Sequence, residues 1–89
     1  MFHLLYKITN KVNGRFYVGI HSTCNRDDGY LGSGKRIKNE ILKYGTQNFV
    51  KEIIAEFTNR EELLLAEMDL VNEELLSDPK CLNLKRGVS

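Results

Sequence analysis

Two runs rich in β-branched and aromatic residues, "HLLYKIT" (residues 3–9) and "RFYVGI" (15–20), flank a segment that ends in Asn13-Gly14. Asn-Gly between alternating apolar runs is a strong short-range signal for a β-hairpin. A two-residue turn at Asn13-Gly14 places Leu5, Phe16, Val18 and Ile20 on one face, which belongs to a core. The other face carries Tyr6, Ile8 and Asn10 with Tyr17, Gly19 and His21, and in this register Tyr6 lies opposite His21. Gly19 leaves room above the sheet, so two phenols and an imidazole are expected to converge there.

The rest of the chain extends this pattern. Residues 22–34 are polar and glycine-rich and read as a loop. A helix begins at Ser33 or Gly34, runs through "KRIKNEILKYG" and ends at Gly45. Its apolar stripe is Ile37, Ile41 with Leu42, and Tyr44, and Lys35, Arg36, Lys38 and Lys43 occupy the exposed side. "FVKEIIAEF" reads as a third strand, with Phe49, Ile53, Ala55 and Phe57 inward. A long helix capped by Thr58 or Asn59 follows, with an apolar stripe of Leu63, Leu64, Leu70, Val71 and Leu75. The expected fold is therefore α+β, a small three-stranded antiparallel sheet flanked by helices in the order ββαβα. Eighty-nine residues are enough for a single domain with one modest core.

Glu67 interrupts the last stripe. It lies four residues after Leu63 and three before Leu70, inside the apolar face. Burying an ion costs several kcal/mol, of the order of ~3 or more, unless it is paired or binds metal, so a partner is implied.

"GYLGSGKR" (29–36) resembles a phosphate-gripping loop, but Arg36 stands where the magnesium-holding Ser or Thr is needed. No preceding strand of a parallel βαβ unit is evident either, which argues against a nucleotide cofactor. The helix start offers free backbone N–H groups to any phosphodiester instead. Charge points the same way. Residues 1–51 hold nine Lys/Arg against three acidic residues, and residues 52–89 hold four against nine. A basic first half suits a polyanion. Cys24 and Cys81 are too few for a disulfide scaffold, and the loose His21/Cys24 pair lacks the second tight pair of a zinc module. With no signal peptide and no apolar run long enough for a bilayer, the chain reads as soluble and cytoplasmic, without a membrane partner.

The run "LLYKITNKVNGRFYVGI" resembles the opening of the GIY-YIG nuclease family, with Leu4-Leu5-Tyr6 and Tyr17-Val18-Gly19 as its two tripeptides. The resemblance continues through "KYG", the strand after "NF", the Glu-bearing helix and Asn83 in "CLNL", and the phage homing-endonuclease branch shares the "DGYLGSGK" loop. It implies a DNA endonuclease, a phosphodiester hydrolase using Mg2+ or Mn2+ held by Glu67, working in the cytoplasm of a phage-infected or prokaryotic cell. It also implies that Tyr6 is the base and Tyr17 its hydrogen-bonding partner. The family's helix-borne arginine after the second tripeptide has no counterpart here, and Arg26 in "HSTCNRDDGY" is the nearest. The phosphate-clamping role is therefore divided among His21, Arg26 and Arg36, with His21 favoured by the hairpin register. Asn83 is expected to cap or cross-link the tail. Lys7, Arg15, Ser33, Lys35, Arg36 and Lys38 are the candidate DNA-backbone contacts. The ending "NLKRGVS" gives the expectation of a single domain, 1–89, cut from a longer protein whose DNA-recognition region follows. The rivals are a non-catalytic DNA-binding module with the same fold, and a nucleotide-binding protein that uses Lys35.

Overall fold

In a computed structural model of the chain, strands β1 (Phe2–Asn10) and β2 (Phe16–Thr23) form the hairpin. The structure describes residues 1–25, 29, 31, 32 and 34–83. Arg26 and Ser33 lie outside these. The turn is wider than the Asn-Gly signal suggests. The Asn10 N–H donates to the Arg15 carbonyl and the Gly14 N–H to the Asn10 carbonyl, each at 2.8 Å, which closes a loop over residues 11–14. Two asparagine side chains shape it, Asn10 Oδ1 accepting from the Val12 N–H and Asn13 Oδ1 from the Arg15 N–H, both at 2.9 Å. Gly14 takes φ 76°, the left-handed conformation that glycine adopts without strain.

The longer turn slides β2 by two residues. Tyr6 pairs with Gly19, and His21 with Leu4. The expected Tyr6–His21 pairing is thus incorrect, and the reason for favouring His21 as the phosphate clamp falls with it. A two-residue slide leaves every side chain on its own face, so the face assignments hold.

Strand β3 (Phe49–Phe57) pairs antiparallel on the other side of β1, giving the order β2-β1-β3. Between Leu5 and Tyr6 the partner jumps from Ala55 to Ile53, a bulge at Ile54. The extra residue flips the alternation. Phe49 and Ile53 consequently pack with Tyr6 and Ile8 on one face, whereas Ala55 and Phe57 pack with Leu5 and Val18 on the other. The expected single inward set is split between two layers.

Helix α1 (Lys35–Tyr44) covers the tyrosine face through Ile37, which is fully buried. Leu42, expected in its apolar stripe, is 85% exposed. At 100° per residue it falls on the side of Lys35 and Lys38, away from Ile37 and Ile41. The opposite face is covered by α2 (Arg60–Leu70) and α3 (Glu73–Leu76), with Leu63 and Val71 packed on Leu5, Phe16 and Val18. Asn59 caps α2 by accepting from the Glu62 N–H at 2.8 Å. The expected single long helix breaks after Leu70, because Asn72 caps a new turn by accepting from the Leu75 N–H at 3.0 Å. The tail then runs parallel to β2. The Phe16 N–H donates to the Lys80 carbonyl (2.9 Å) and the Leu82 N–H to the Phe16 carbonyl (2.7 Å), covering part of that sheet edge.

Candidate active site

The glycines explain how the two phenols fit together. Tyr6 is 1% exposed and Tyr17 half-buried, with ring centroids 6.3 Å apart and planes tilted by 42°. A Cβ on Gly19 would lie 2.5 Å from Tyr6 Oη and 2.8 Å from Tyr17 Cε2. One on Gly32 (φ 97°) would lie 3.2 Å from Tyr17 Cε2 and 3.4 Å from Tyr6 Oη, and one on Gly34 2.9 Å from Tyr17 Cε1. Gly32 and Gly34 of "GYLGSGKR" therefore let the backbone at those two positions approach the tyrosines. Lys51 Nζ stands 5.3 Å from the Tyr6 ring centroid, within cation–π range. The sequence reading missed this cation, although Lys51 alternates with Phe49 and Ile53 and so shares their face.

Glu67 belongs to the other layer. It sits on α2 between Leu63 and Val71, 8% exposed, and its buried Oε1 has no hydrogen-bond partner. Burial pushes its carboxyl above the ordinary value of 4.5, and the Arg60 guanidinium partly offsets this. Arg60 is seven residues earlier, two turns down the same helix face, a spacing legible in the sequence but not used. Its Nη1 donates to Ser22 Oγ at 2.8 Å, and His3 Nδ1 also bonds Ser22 Oγ at 2.9 Å. Arg60 is thereby tied to the end of β2 on the Glu67 side.

Asn83 joins the tail to the second tripeptide. Its Oδ1 accepts from the Val18 N–H at 3.0 Å and its Nδ2 donates to the Val18 carbonyl at 2.7 Å, continuing the edge pairing between Tyr17 and Gly19. The expected cross-linking role of Asn83 matches this geometry. Of the candidate DNA contacts, Arg15 and Arg36 meet in one cleft. Lys35 and Lys38 are exposed on a different side of α1, and Lys7 lies over the Phe16 ring at 4.9 Å, on the α2 side of the sheet. His21 is half-buried on the tyrosine face, opposite Leu4. The structure thus brings Tyr6, Tyr17, Gly19, Gly32 and Gly34 together and sets Glu67 beyond the sheet.

Among the described residues no group of three or more His, Cys, Asp or Glu could hold a metal by itself. A single buried carboxylate with one unpartnered oxygen fits Mg2+, which is typically bound by one or two carboxylates together with substrate phosphates and water. Among the described residues, no helix is long and apolar enough to cross a membrane.

No protein-family model matches the chain. No solved structure matches it either. Curated relatives do. The chain is 53% identical over 87 residues to the protein named "Putative endonuclease segB" of Enterobacteria phage T4, an alignment spanning 98% of this chain and 39% of that protein. To "Endonuclease segA" of the same phage it is 38% identical over 86 residues, spanning 97% of this chain and 39% of that protein. The chain is therefore similar, along nearly its whole length, to about two fifths of the length of phage proteins named as endonucleases.

Proposed function

We propose that the chain is a catalytic domain of the GIY-YIG type, a DNA endonuclease that hydrolyses phosphodiester bonds with Mg2+ or Mn2+ bound at Glu67. The observation that carries this reading is the buried, unpartnered Oε1 of Glu67 on a helix that otherwise presents apolar residues to the sheet. The names of the phage relatives support the reaction class, and they make DNA the proposed substrate.

The two layers meet around β2, the edge strand that carries Tyr17. A DNA strand passing that edge beyond the stretch the tail covers would have the phenols on one side and the carboxylate on the other. Tyr17, being half-buried, faces the solvent more than Tyr6 does, so we assign Tyr17 the proton-accepting position beside the attacking water and Tyr6 the support behind it. This reverses the roles that the family resemblance suggests. A phenol with a pKa of about 10 is a weak base at neutral pH and needs help from positive charge. Lys51 supplies it next to Tyr6, and the phenolate form of the pair is the one that takes the proton from water and returns to the neutral phenol. When bound, the divalent ion supplies charge stabilisation to the phosphate and leaving oxygens. Arg60, moored to Ser22, offers a guanidinium on the Glu67 side and is our candidate for the phosphate clamp.

The test is cleavage of supercoiled plasmid in Mg2+, comparing this chain with Glu67→Ala and with an EDTA control. Nicking or linearisation that vanishes in both controls supports the reading. Salt-sensitive DNA binding without cutting in Mg2+ would instead favour the non-catalytic module.

A further inference from the structure

The face of α1 next to its apolar stripe carries Arg36, Glu40 and Lys43, spaced at i, i+4 and i+7. With Arg15, Asn39 and the exposed Pro79 they line a cleft of about 420 Å³ that also meets the buried Cys81 and Leu82. We infer that this cleft holds a non-scissile phosphate, with its sugar, of the DNA strand that reaches the tyrosines, an inference that rests on the nuclease reading.

Glu40 organises the cleft. It is 7% exposed, and its Oε1 accepts from Asn13 Nδ2 at 3.2 Å and from Arg15 Nη1 at 3.4 Å. The carboxylate is thus satisfied by the hairpin turn, and it holds the Arg15 guanidinium at the rim. Among the described residues, neither Arg36 nor Lys43 forms an ion pair. Three cations line the cleft with one carboxylate, an excess of positive charge, with Arg15 held by Glu40 and Lys43 Nζ 5.4 Å from the Tyr44 ring centroid.

The cleft adjoins the phenols. Leu82 meets it and also packs in the layer of Tyr6, Ile8 and Ile37. Gly34, two residues before Arg36, abuts the Tyr17 ring. A strand leaving Tyr17 along this surface enters the cleft next. Small-ligand sites begin at about 300 Å³, so the volume accommodates a phosphate together with its sugar.

The experiment measures fluorescence anisotropy of a short labelled duplex in EDTA over a range of salt concentrations. It compares the unaltered chain with Arg36→Ala/Lys43→Ala and with Lys35→Ala/Lys38→Ala. Both pairs remove the same charge from α1, and all four residues are exposed, so the fold tolerates either change. The cleft pair should lower the slope of log affinity against log salt by about 1, the loss of one phosphate contact, and the Lys35/Lys38 pair, which faces away from the cleft, should lower it by less. Equal slopes for the two pairs, or a cleft pair that keeps the original slope, would overturn the cleft while leaving the nuclease reading intact. If the unaltered chain shows no salt-dependent binding at all, the cleft falls, and the plasmid assay decides the nuclease reading separately.

Discussion

Gly19→Ala tests the tyrosine arrangement most directly. The new Cβ would lie 2.5 Å from Tyr6 Oη, 2.8 Å from Tyr6 Cζ and 2.8 Å from Tyr17 Cε2. Ordinary contact begins near ~3.5 Å, so the rings must retreat by about 0.7 to 1 Å. Tyr6 is 1% exposed and packed under Gly32 as well, which leaves it little room. Gly19 is not among the glycines with positive φ, so alanine fits the backbone and the effect is steric. Overpacking costs about 1–3 kcal/mol, and restricting the unfolded chain returns about 0.4–1 kcal/mol. The net loss is about 0–2.5 kcal/mol, read as a lower urea midpoint. A misplacement of about 1 Å at the reacting groups costs about 10²-fold in rate. Plasmid nicking should therefore fall far more than the folded fraction does, under conditions where circular dichroism shows the variant folded. A Gly19→Ala protein with the original midpoint and nicking rate would refute this packing and the site built on it.

Asn83→Ala removes both hydrogen bonds to Val18 and should cost about 2 kcal/mol in urea unfolding, at about 1 kcal/mol for each bond; loss of nicking with an unchanged midpoint would make Asn83 catalytic instead. Tyr17→Phe should slow nicking at least as much as Tyr6→Phe while leaving the midpoint closer to that of the unaltered chain, since Tyr17 is the more exposed ring. Because burial raises the Glu67 carboxyl above 4.5, the folded chain holds that proton more tightly than the unfolded chain does. This contribution is fully present at low pH and is lost as pH rises from 4.5 through the folded value. Glu67→Gln should flatten that decline in urea midpoint against pH, and an unaltered profile would count against the burial.

Local chemistry made much of this legible. Strand alternation identified the tyrosine face, and the stripe around Leu63 and Val71 exposed Glu67 as an intruder, although Leu70, expected in the same stripe, is exposed. The errors came from features that local patterns encode ambiguously. Asn-Gly is compatible with turns of two or four residues, and the choice fell to Asn10 and Asn13, whose side chains bond their own backbone. The bulge at Ile54 has no marker in "FVKEIIAEF", because glycine and proline are absent there and the bulge answers to the layers on both faces. Arg60 and Glu40 are long-range participants whose partners, Ser22 and the hairpin turn, come near only in the folded chain.

Among the described residues three polar ones are buried, Asn10, Glu40 and Glu67, and comparing them isolates the one without a structural task. Glu40 is held by Asn13 and Arg15. Asn10 leaves its Nδ2 unpartnered, but its Oδ1 builds the hairpin turn. Glu67 leaves Oε1 unpartnered within an apolar stripe, with only the Arg60 charge to offset its burial. A cation at that oxygen would turn a destabilising residue into a linkage site, since a ligand that binds only the folded chain stabilises it by about 2.7 kcal/mol at a hundredfold excess over its dissociation constant. Mg2+ or Mn2+ should accordingly raise the urea midpoint of the unaltered chain and leave that of Glu67→Gln where it was. In metal-free buffer the order should reverse near neutral pH, with Glu67→Gln the more stable protein, because glutamine there carries no buried charge. If both proteins gain equally from the metal, the ion binds elsewhere and the assignment of Glu67 fails whether or not the chain cuts DNA.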